Sequence, residues 1–63
     1  MWTVIHIVQN KEDAKDLAQR LEQVGIISRI KHVNKSVGGG AYEVLVPAAE
    51  VQKALGLIID SEF

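Results

Sequence analysis

The sequence predicts an α+β fold: a three-stranded antiparallel sheet with two helices on one face, in the order βαββα, a truncated ferredoxin-like plait. Three observations predict it. The chain starts with a run of β-branched and aromatic residues, Trp2 to Val8. Two later segments carry apolar residues at three- and four-residue steps, the period of a helix face. Between the helices lie two strand-like segments joined by a turn that holds Gly38, Gly39 and Gly40. Residues 1–63 read as one domain, and no clear closing strand follows the second helix. An unpaired sheet edge and a bare sheet face are therefore expected, and both invite a partner.

The first strand is Trp2-Thr3-Val4-Ile5-His6-Ile7-Val8, a composition that fits a pleated surface. Asn10 is a good helix N-cap, and Asp13 adds negative charge where the helix dipole favours it. Ala14, Leu17, Ala18, Leu21 and Val24 form the apolar stripe of the first helix. Asp16 and Arg20 are spaced for an i,i+4 pair. Gly25 is placed to end the helix in a left-handed conformation. A second strand is expected over Ile26–Val33, a turn over Asn34–Gly40 and a third strand over Ala41–Val46.

Pro47 stops the third strand and has the fixed φ suited to a helix start. Val51, Ala54, Leu55 and Ile58 form the second stripe. The second helix is expected to run through Gly56; the alternative is a short fourth strand at Leu57-Asp60. A right-handed crossover places the third strand in the middle of the sheet. Thr3, Ile5 and Ile7 are then expected to face the helices. Trp2, Val4, His6 and Val8 take the opposite face, beside Arg29, Lys31, Glu43 and Leu45.

Composition removes several classes of function. The chain has no cysteine, so disulfides and thiolate metal cages are impossible. Seven basic residues against eight acidic ones give no general attraction for nucleic acid or an anionic membrane. The longest apolar run falls far short of the ~20 residues that cross a bilayer. The start lacks the basic residues of a signal peptide, so a cytoplasmic location is expected. At 63 residues, a domain without staples commonly gains stability by self-association.

The candidate chemistry is sparse. Gly38, Gly39 and Gly40 lead into a strand, whereas phosphate loops lead into a helix, so they read as a hairpin tip. His6 and His32 fall on strands separated by the third, with no acidic residue at a telling spacing; no metal and no cofactor is expected. Arg29, Lys31, His32 and Lys35 gather positive charge, but without the two or three aromatics that stack RNA bases. No serine has a histidine partner, and the helix-start carboxylates serve the dipole, so no enzyme activity is expected.

A family resemblance covers essentially the whole chain. It rests on the Met1-Trp2 start, the Asn10-Lys11-Glu12-Asp13-Ala14 helix entry, and the Leu21-Glu22-Gln23-Val24-Gly25-Ile26 turn. The glycine-rich hairpin leading to Tyr42-Glu43-Val44-Leu45-Val46-Pro47 completes it. The pattern resembles a small bacterial family assigned to signal transduction, of plait-type fold, unknown function and outline similarity to nitrogen-regulatory signalling proteins. Their long nucleotide-binding loop has no counterpart here.

The expected function is a small non-enzymatic regulatory or protein-interaction module that self-associates as a homodimer or higher homo-oligomer. Its expected interface is Trp2, Val4, His6, Leu45 and Leu57, with no membrane or nucleic-acid partner. The alternative is a small-molecule or anion sensor using Arg29, Lys31, Gly38, Gly39 and Gly40.

Overall fold

The computed structural model describes residues 1–34 and 40–61. Strand β1 spans Trp2–Val8, helix α1 Lys11–Gln23, strand β2 Arg29–Asn34, strand β3 Gly40–Pro47 and helix α2 Val51–Ser61. A 3-10 turn over Ala48–Glu50 leads into α2. The sheet order is β1-β3-β2, with β3 antiparallel to both neighbours. The α+β plait of three strands and two helices is thus the fold, and Leu57-Asp60 are helical. Gly38 and Gly39 of the expected hairpin tip lie outside the described residues.

Helix α1 shows why its boundaries were legible. The Asp13 amide donates to Asn10 Oδ1 at 2.8 Å, and Asn10 Nδ2 donates back to the Asp13 carboxylate at 3.1 Å. At the other end Gly25 takes φ +81°. The Gly25 amide then donates to the Glu22 carbonyl and the Ile26 amide to the Leu21 carbonyl, each at 2.9 Å. This paired closure satisfies carbonyls that the helix end would leave open. It also turns Ile26 into the core beside Leu21. Ile26 is therefore buried ahead of β2, which begins at Arg29 and not at Ile26 as expected.

The core lies between the helices and one sheet face. Ala14, Leu17 and Leu21 from α1 and Ala54 from α2 meet Val44 and Val46 of β3, all fully buried. Among the described residues no polar side chain is buried, so the core carries no desolvation penalty of that kind. Lys53 of α2 donates to the carbonyl of Val24 at 3.2 Å, giving the C-terminus of α1 a cationic cap.

Two expectations about side-chain placement are corrected here. Strand β1 carries a bulge: Val4 pairs with Leu45 but His6 pairs with Val44, leaving Ile5 as the extra residue. A bulge shifts the alternation by one position. His6 and Val8 therefore fall on the helix side with Val44 and Tyr42, while Ile7, 54% exposed, sits opposite Glu43 on the uncovered side.

The second correction concerns α2. Leu57, expected to stand off the buried stripe, packs against the core with Val51 and Ile58, and Leu55 is exposed. Val51, Ala54, Leu57 and Ile58 also recur at three- and four-residue steps, so the apolar pattern of α2 fits a stripe through either leucine.

Candidate functional site

The uncovered sheet face is the candidate site. Cross-strand register places Trp2, Val4 and Ile7 of β1, Glu43 and Leu45 of β3, and Arg29, Lys31 and Val33 of β2 on the side away from the helices. Apolar groups run along β1 and the centre of the face. Charged groups gather toward β2, where Lys31 stands directly opposite Glu43.

Arg29 reaches back over the middle strand. Its guanidinium carbon lies 4.2 Å from the centroid of the Trp2 ring, within range of a cation–π contact. The face thus combines a flat aromatic ring, an aliphatic strip of Val4 and Leu45, and three ionic side chains. Such a surface can pack the C–H face of a flat ligand and hydrogen-bond its polar rim at the same time. It is open along the strands, so it suits an elongated ligand better than a small enclosed one.

Four of the five expected interface residues can be compared directly with this face. Trp2, Val4 and Leu45 lie on it; His6 lies on the helix side. Leu57, from α2, is part of the core periphery. Arg29 and Lys31 are on the face, whereas Gly40 sits at the start of β3 opposite Asn34. Gly40 has a steric role: a Cβ there would collide with the His32 ring. His32 stacks on Tyr42 at a centroid distance of 4.7 Å. Ile7 was missed by sequence reasoning, since only the bulge puts it on the face. No cluster of three metal-binding side chains occurs among the described residues.

Residues 6–58 match the family described as SPOR domain. That span is most of the chain, so the protein belongs to the SPOR-domain family. Among curated proteins and among solved structures nothing matches the chain significantly. Membership corrects the expected kinship with signal-transducing and nitrogen-regulatory proteins, because the matched family is a different one. It also overturns the reading as a generic regulatory or self-associating module and the alternative of an anion sensor. Neither is favoured for a SPOR domain, and a homodimer is not its expected partner.

Proposed function

We propose that the protein is a non-catalytic peptidoglycan-binding module acting in cell division, and that the uncovered sheet face holds the glycan. The observation that carries this reading is the family match over residues 6–58, since peptidoglycan binding in cell division is what a SPOR domain suggests. The geometry supports it. A glycan strand is long, has alternating apolar and hydroxyl-bearing surfaces, and is too extended for a closed pocket. An open face with an aliphatic strip and flanking ionic groups complements those features.

In this reading Leu45 and Val4 pack the hydrophobic side of the sugar rings. Arg29, Lys31 and Glu43 hydrogen-bond hydroxyl and amide groups, and their charge strengthens those bonds. Because peptidoglycan lies outside the cytoplasmic membrane, the reading assigns the domain an extracytoplasmic place of action. Chemistry on the glycan is left to other proteins.

Co-sedimentation with purified sacculi tests the proposal. The unaltered protein should pellet with sacculi, and Leu45→Asp should remain in the supernatant while keeping its circular dichroism. A folded Leu45→Asp protein that pellets as well as the parent would remove the sheet face from consideration.

A further inference from the structure

A second surface lies on the opposite side of β2, away from the sheet face. A groove of about 570 Å³ lies between α1 and residues 25–30, which lead into β2 and include its Ile30. Lys15, Ala18, Gln19 and Glu22 form its helical wall, and Ile27 and Ile30 lie along its other side. The four helical residues fall at steps of three and four, so they share one face of α1. Ile27 is 72% exposed and Ile30 37%, a notable amount of branched aliphatic surface for a domain this small.

The adjoining strand is a free edge. Among the described residues β2 ends the sheet order and no strand pairs with its outer side, so alternate backbone N–H and C=O groups of Arg29–Asn34 point away from β3. The two edges of the sheet differ. β1 is bulged at Ile5, which bends an edge and discourages extension of the sheet. β2 pairs with β3 in unbroken register over six residues, from Arg29↔Leu45 to Asn34↔Gly40. It is the regular edge, and the groove, aliphatic at Ile27 and Ile30, adjoins its start.

Charge selects the occupant. On the sheet-face side the edge presents Arg29 and Lys31; on the helix side it presents Ile30 and His32. A second copy of β2 added antiparallel would set these cations beside one another, which is unfavourable. A complementary strand would carry acidic residues toward Arg29 and Lys31 and apolar residues toward Ile30 and the groove. We propose that the edge of β2 accepts an extended segment of a partner protein with this alternating acidic and apolar pattern. The segment adds as a fourth strand, with backbone hydrogen bonds giving affinity and the groove giving selectivity. The glycan reading also uses Arg29 and Lys31, but the groove and the outer edge of β2 lie apart from the sheet face, and Ile27 belongs to the groove alone.

The probe is a fluorescein-labelled peptide of alternating valine and glutamate, about eight residues long so that it outspans the strand. Titration with the full chain should raise its fluorescence polarisation and shift backbone amides of Ile27–Asn34 in a ¹⁵N spectrum. Methylating alternate peptide nitrogens should abolish binding, since the added ladder needs those donors. Lys31→Glu should weaken it roughly threefold or more, and a valine–lysine peptide should not bind. Ile27→Ser should weaken the peptide yet leave co-sedimentation with sacculi unchanged, which separates this proposal from the previous one. Absence of binding up to ~1 mM, binding that survives N-methylation, or shifts centred on Leu45 would overturn it. So would self-association through β2 that excludes the peptide.

Discussion

The guanidinium of Arg29 covers the ring of Trp2 at 4.2 Å, joining the two outer strands above the central one. Both residues pair with neighbouring parts of β3, Trp2 with Pro47 and Arg29 with Leu45. The contact therefore bridges the face along which a glycan is proposed to lie. Because Arg29 is exposed, the pair is worth about 0.5–1 kcal/mol. A double-mutant cycle with Trp2→Leu and Arg29→Met, followed by urea unfolding, should return a coupling of that size. Additive effects of the two substitutions would show that the contact contributes nothing.

Three glycines should respond differently to alanine. Gly25 has a positive φ with open space around it, so Gly25→Ala should cost roughly 1–2 kcal/mol from backbone conformation alone. Gly56 sits inside α2, where an added Cβ also meets nothing; Gly56→Ala should stabilise by about 0.5–1 kcal/mol. Gly40→Ala should displace His32 from Tyr42, visible as changed ring shifts in the proton spectrum. Thermal melts that rank Gly56→Ala below the parent would contradict the helical assignment of Leu57-Asp60.

Removing the cap of α1 tests the local origin of that helix. Asn10→Ala should destabilise the protein by about 1 kcal/mol, because the Asp13 amide loses its acceptor. Asn10→Ser, which keeps an acceptor for that amide without adding charge beside the Asp13 carboxylate, should retain most of the stability. Equal loss from both substitutions, measured by urea midpoints, would argue against the cap.

The core should be intolerant of truncation. Leu17 is fully buried between the helices and β3, and Leu17→Ala should cost about 2–5 kcal/mol. For a domain this small that is a large part of its total stability. The far-ultraviolet circular dichroism melt should move sharply down or vanish. Ile59→Ala, at an exposed position of α2, should leave the melt almost unchanged.

How far the fold could be read from sequence follows from particular residues. Helix α1 announced itself through Asn10, Gly25 and an apolar stripe, of which the structure buries Ala14, Leu17 and Leu21 while Val24 caps the helix and is exposed. The faces of β1 were not legible, because Val4, Ile5, Ile7 and Val8 are apolar on both sides. A period-two pattern that cannot tell its two faces apart cannot fix register, so the bulge at Ile5 was invisible. The phase of α2 was not legible because Leu55 and Leu57 both continue a helical apolar pattern from Val51 and Ala54, and only packing against the core selects Leu57. The site was partly legible: Trp2, Val4, Arg29, Lys31 and Leu45 were placed together correctly, while His6 and Ile7 exchanged sides. The family was not, because the resembling segments were caps and turns that any plait of this order needs.

The central claim is that the uncovered sheet face holds peptidoglycan glycan. Titrating ¹⁵N-labelled protein with soluble glycan strands released from sacculi tests it most directly. Amides of Val4, Arg29, Lys31, Glu43 and Leu45 should shift progressively, with those on the outer surfaces of α1 and α2 unmoved. Shifts confined to the helices, or an unchanged spectrum in excess glycan, would contradict the claim.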